Sequence, residues 1–111
     1  MSSLEFDVSC ADVHRLLAAG EGLVLVDCRQ QSEWDVARID GATLIPLDQL
    51  QARVGELEPH RDQRIVVHCH HGGRSARVVQ WLRQIGFAHA QNMAGGIDAW
   101  SQEVDPQVPR Y

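Results

Sequence analysis

The chain has 111 residues, enough for one domain with a core of its own. A formal net charge of −5, with all ten basic residues arginine, excludes the basic footprint of a nucleic-acid binder. Apolar residues make up 44%, as in an ordinary globular chain, and no apolar run approaches the roughly 18 residues of a membrane-crossing helix.

At the N-terminus, Met1-Ser2-Ser3-Leu4-Glu5 lacks a basic region followed by an apolar stretch, so no signal peptide is expected. Ser9 caps a first helix, with Asp12 as an imperfect capping-box partner. Val13, Leu16 and Leu17 form its apolar stripe, and Gly20 ends it. Leu23-Val24-Leu25-Val26 is a continuous apolar run, the pattern of a strand buried on both faces. Gln31 to Val36 reads as a short helix. Ala42 to Ile45 reads as a short strand stopped by Pro46. Leu47, Leu50 and Val54 carry a helix to about Leu57. Ile65 to His68 is a second buried strand. Val78, Val79, Leu82 and Ile85 mark the next helix, closed by Gly86. Ala88 to Met93 is a weaker strand, and Gly95-Gly96 precedes a last helix through Trp100. Residues 105–111 read as a loose tail. Strands alternating with helices predict an α/β fold, a parallel sheet covered on both faces, with ligands beyond the carboxyl ends of the strands. Asp27, Arg29 and Cys69 all fall at such ends.

Cys69 is the candidate nucleophile. The β-branched run Ile65-Val66-Val67 delivers it to a strand tip, Gly72 and Gly73 let the following loop curl, and Arg74 and Ser75 open a helix. That grammar aims backbone N–H groups and a helix N-terminus at one point, where a thiol ionises easily. Cys10 and Cys28 read as core residues; Cys28 is the one thiol that could resolve an oxidised Cys69. Three widely spaced cysteines form neither a disulfide framework nor a zinc pattern, so a reducing, cytoplasmic setting is expected. His68 and Cys69 are strand neighbours and point to opposite faces. No metal site is expected around His68, His70 and His71; His70 and His71 are placed at the pocket rim. Asp27 and Arg29 are expected to hold loops together through an ion pair, Ser75 to bond within the loop, and Arg74 to contact the loop or a substrate.

Leu25-Val26-Asp27-Cys28-Arg29, Glu33-Trp34, Ile39-Asp40-Gly41-Ala42, Ile45-Pro46, Cys69 through Ser75 and Gly95-Gly96-Ile97-Asp98-Ala99-Trp100 stand in an order that resembles a single-domain rhodanese, a sulfurtransferase. The resemblance covers about Cys10 to Trp100. It implies the three-layer rhodanese-like fold over residues 1–104, followed by the tail. It departs at Arg38, where many members carry histidine, and at His70-His71, which bears on substrate choice. It implies a relay without a cofactor: the Cys69 thiolate takes a sulfane sulfur from a donor such as thiosulfate, holds it as a persulfide, and passes it to cyanide or to a thiol or protein acceptor. His70, His71, Gly72, Gly73, Arg74 and Ser75 would form the substrate-binding loop, supported by Asp27 and Arg29. Nucleic acid and membrane are not expected partners. Two alternatives stand beside this reading. One is a cysteine phosphatase or arsenate reductase on the same fold, whose signature has one more residue between the cysteine and the arginine. The other is a non-catalytic rhodanese-like binding module, which would be expected to lack Cys69.

Overall fold

The computed structural model describes residues 4–111; Met1 to Ser3, where the signal-peptide reading begins, lie outside them. Five strands, β1 (Asp7–Val8), β2 (Leu23–Asp27), β3 (Ala42–Leu44), β4 (Arg64–His68) and β5 (Ala90–Met93), form one sheet in the order β1-β5-β4-β2-β3. Every pairing is parallel. Five α-helices, α1 (Cys10–Ala18), α2 (Gln31–Val36), α3 (Leu50–Arg53), α4 (Gly73–Gln84) and α5 (Gly96–Glu103), complete the α/β architecture. No described helix is long and apolar enough to cross a membrane.

The central strands are apolar on both faces because both are covered. On one face Val26, Cys28, Ile65, Val67 and Cys69 pack against Leu50 of α3 and Val78, Val79 and Leu82 of α4. On the other, Leu25 and Val66 pack against Val13 of α1 and Ile97 and Trp100 of α5. Ser9 caps α1 as expected, its Oγ accepting from Asp12 N at 3.0 Å, while the Asp12 carboxylate turns to Arg15. The box therefore closes on one side only.

Three expectations need correction. The single helix from Leu47 to Leu57 is instead a 3₁₀ turn (Leu47–Gln49), α3, and a further 3₁₀ segment (Val54–His60). Leu50 and Leu57 are buried as the apolar spacing implied, but Pro59 has no N–H to extend an α-helix and its ring crowds the preceding turn. The edge strand β1 is absent from the sequence reading. It is two residues long and exists by pairing with β5, Asp7 beside Asn92 and Val8 beside Met93. Residues 105–111, read as loose, fold back on the domain: Val108 packs on the α1–α5 core, Arg110 Nε bonds Asp98 at 3.0 Å, and Tyr111 reaches the active loop.

Candidate active site

β4 ends at His68, and the next residue, Cys69, begins the loop that leads into α4. Gly72 caps α4 at φ +116°, a conformation that residues with a Cβ rarely adopt. This left-handed turn swings the backbone over the thiol. Gly72 N lies 3.1 Å, Ser75 N 3.4 Å and Ser75 Oγ 3.3 Å from Cys69 Sγ. The Ser75 hydroxyl also lies 3.2 Å from Gly72 O and 2.5 Å from Asn92 Oδ1. It has one proton for three acceptors, and a charged sulfur is the strongest claimant. Asn92 is fixed in turn by Asp7, whose Oδ1 accepts from its amide at 3.1 Å.

The loop is held from the far side by α5. Ile97 N donates to Cys69 O at 2.9 Å and Asp98 N to His70 O at 3.1 Å. Gly96, at φ +61°, lies so close beneath that a Cβ would run into the carbonyl oxygens of Cys69 and His70. The Gly95-Gly96 pair leads into α5, and Gly96 brings that helix against the loop.

These contacts make Cys69 acidic although it is only 1% exposed. Its pKa falls to about 4: the Cys28 thiol donates to it, burial opposes, and the Ser75 hydroxyl, Ser75 N–H and Gly72 N–H add their share. Cys28 moves far the other way, because it donates to that thiolate and is itself buried. Cys10 is pushed up to about 11 by burial and sits on the opposite face, its Sγ against the Ala94 and Gly96 carbonyls. Burial lowers the His68 pKa, and its ring, 3.9 Å from Asp27, alternates away from Cys69.

The supporting residues brace loops. Asp27 and Arg29, both fully buried, form a fork with Nε–Oδ1 at 2.9 Å and Nη2–Oδ2 at 2.7 Å. Arg29 also donates to Ala37 O at 2.6 Å and to the Tyr111 hydroxyl at 2.7 Å.

Arg74 differs from expectation. Its Nη1 and Nη2 grip Glu33 at 2.7 and 2.9 Å, not the loop or an open pocket. A planar guanidinium facing a half-buried carboxylate makes that fork. Glu33 is thereby held at a pKa of about 2, Arg74 leading and the Tyr111 hydroxyl (2.7 Å) assisting. Tyr111 thus ties Arg29 to Glu33, and its ring stacks on His70 at 4.0 Å and 9°. His70 stacks in turn on the exposed His71. Sequence spacing offered no ligand set here, yet the fold brings Asp98 to this pair: each residue offers a ligand atom, all within 4.8 Å of one another. The same Asp98 carboxylate carries Arg110.

Sequence reasoning missed Asn92 and Tyr111, and noted Glu33 and Asp98 only as parts of motifs. Asn92 lay in a weak polar strand, Tyr111 in an apparent tail, and Glu33 is 41 residues from its partner Arg74.

The model for the family described as "Rhodanese-like domain" matches residues 9–103. Among curated proteins, the maize "Adenylyltransferase and sulfurtransferase MOCS3-2" is 36% identical over 109 residues, covering 94% of this chain and 23% of that protein. "Probable adenylyltransferase/sulfurtransferase MoeZ" of Mycobacterium tuberculosis is 36% identical over 95 residues, covering 86% of this chain and 24% of that one. The chain thus spans about a quarter of the length of these relatives. Among solved structures, a rhodanese-like domain protein from Staphylococcus aureus superposes with a TM-score of 0.80 at 27% identity, covering 90% of this chain and 95% of that one. The human single-domain sulfurtransferase TSTD1 gives 0.78 at 26%, with 90% and 98% covered. The chain belongs to the rhodanese-like domain family.

Proposed function

We propose that the protein is a sulfurtransferase that carries sulfane sulfur as a persulfide on Cys69. One observation carries the reading: a buried thiol, acidified to about pKa 4, inside a ring of three donors sized for a single sulfur anion. The Cys69 thiolate attacks the outer sulfur of a donor such as thiosulfate. The donor S–S bond breaks, and sulfite leaves with the electron pair. An acceptor thiolate, or cyanide in an assay, then attacks the outer sulfur of the persulfide and returns Cys69 to the thiolate. The Gly72 and Ser75 donors surround Cys69 Sγ, so the thiolate consumed and restored in the two half-reactions is held without reorganisation, the logic of an oxyanion hole.

Four residues separate Cys69 from Arg74, which makes a tight loop. A phosphoryl group, with three oxygens to hold, needs a wider one, and this favours sulfur over phosphate. The relatives named as sulfurtransferases support the same reading. All three cysteines are free thiols, in keeping with a reducing, cytoplasmic setting.

The test is intact mass after incubation with thiosulfate. A gain of about 32 Da on Cys69, reversed by cyanide or a thiol, is expected. Cys69→Ser should abolish the gain and the sulfur transfer and keep the melting temperature. Full transfer in that variant, or aryl phosphate hydrolysis faster than sulfur transfer by the unmodified protein, would overturn the reading.

A further inference from the structure

Cys28 is the one buried nucleophile in contact with Cys69 that the relay leaves unused. β2 and β4 are neighbours in parallel register, with Asp27 opposite His68. One residue on, Cys28 stands opposite Cys69, and Cys28 N donates to His68 O at 3.0 Å, extending the ladder. Both side chains enter the same core face, against α4. Adjacent strands lie about 4.7–4.9 Å apart, inside the window of about 4.4–6.8 Å between Cα atoms that a disulfide requires. Cys28 is completely buried, and Cys69 is the thiol beside it on the same core face. Cys10, on the opposite face, is not in reach.

We propose that Cys28 is a resolving thiol. It displaces the sulfur carried on Cys69 as hydrosulfide and closes a Cys28–Cys69 disulfide, so that the domain releases sulfide as well as handing sulfane sulfur to acceptors. This rests on the persulfide reading above. In the step, the Cys28 proton passes to the outer sulfur of the persulfide, and the Cys28 sulfur attacks Cys69 Sγ. The bond from Sγ to the outer sulfur breaks, its electron pair goes to the outer sulfur, and HS⁻ leaves. The two cysteine sulfurs are oxidised to a disulfide and the sulfane sulfur is reduced to sulfide, so the step needs no external oxidant. A dithiol reductant restores the resting thiols.

The arrangement also keeps Cys28 quiet between turnovers. While Cys69 is a thiolate, Cys28 donates to it and its own ionisation is strongly suppressed. Capping Cys69 with sulfur moves that charge to the outer atom and relieves the part of the suppression that the Cys69 thiolate imposes, while burial and Asp27 continue to oppose ionisation.

The experiment follows wild type and Cys28→Ser anaerobically after a pulse of thiosulfate, reading intact mass and released sulfide. In wild type, the species heavier by about 32 Da should decay to one about 2 Da lighter than the reduced protein, with one equivalent of sulfide and a mapped Cys28–Cys69 link. Cys28→Ser should hold the added sulfur and release none. A wild-type persulfide as long-lived as that of Cys28→Ser overturns the inference and leaves the sulfurtransferase reading standing. No mass gain in either protein overturns both. A second arm, independent of any variant's folding, treats wild type with hydrogen peroxide. The sulfenic acid formed on Cys69 should condense with Cys28, releasing water and giving the same link. Sulfinic acid on Cys69 beside a free Cys28 overturns the inference.

Discussion

Removing one hydroxyl from the sulfur cradle should make Cys69 measurably less acidic. Ser75→Ala deletes the Oγ that lies 3.3 Å from Cys69 Sγ and leaves the backbone N–H at position 75 in place. A hydrogen bond to a charged group contributes about 1.5–3 kcal/mol. One pKa unit is about 1.4 kcal/mol, so the full loss corresponds to about 1–2 units. The hydroxyl proton is shared with Asn92 Oδ1 and Gly72 O, so the lower end, about 1 unit, is expected. The assay is the rate of carbamidomethylation at Cys69 against pH. Wild type should be half-maximal near the pKa of about 4 and flat well below neutrality. Ser75→Ala should be half-maximal near about pH 5, and Ser75→Thr, which keeps a hydroxyl, should stay close to wild type. Coincident curves for wild type and Ser75→Ala would refute the role of the hydroxyl. A wild-type rate that climbs in proportion to hydroxide up to about pH 8.5 would refute the acidic thiol altogether.

Arg74→Ala should lower the melting temperature by about 4 °C, from about 1 kcal/mol for a partly exposed fork. Arg74→Lys should recover only part, since lysine keeps the charge and loses the planar geometry. An unchanged KM for thiosulfate with that loss marks Arg74 as a brace for Glu33, whereas a raised KM shows that the guanidinium reaches the donor. Glu33 has a folded pKa depressed from 4.5 to about 2, so its stabilisation is complete above about pH 4.5 and fades as pH falls toward 2. Acid unfolding of Glu33→Gln should lack that component, and an identical acid limb in both proteins would contradict the assignment. Gly96→Ala should reduce stability and sulfur transfer together, since the added methyl meets two loop carbonyls at a left-handed φ. Circular dichroism melts and the thiosulfate–cyanide assay, both unchanged, would show that α5 does not hold the loop.

What the sequence revealed follows from which forces are local. Ile65-Val66-Val67 announced a buried strand because both faces of β4 are covered, leaving no polar alternation to confuse the pattern. The loop after Cys69 was legible because its glycines and the helix start are consecutive. The Glu33–Arg74 fork was not, because nothing in either segment's spacing specifies a partner so distant in the chain. Asn92 misled for a related reason. Its polarity weakened the β5 signal, while the fold buries it to position Ser75 and to meet Asp7. The segment after Arg53 lost its helical geometry where Pro59 overrode an apolar spacing that was otherwise correct.

The strand order β1-β5-β4-β2-β3 has a consequence for biosynthesis. Chains emerge N-terminus first, so the segment from Cys69 to Ser75 leaves the ribosome after Cys28 but before the groups of β5 and α5 that fix the loop. Asn92 and the Ile97 and Asp98 amides follow later, and β1 waits for β5 although it was made first. Contacts of such sequence separation close slowly. A nascent chain therefore carries the thiol and its direct donors before the groups that hold them in place, and the loop is fixed only when the last fifth of the sequence docks.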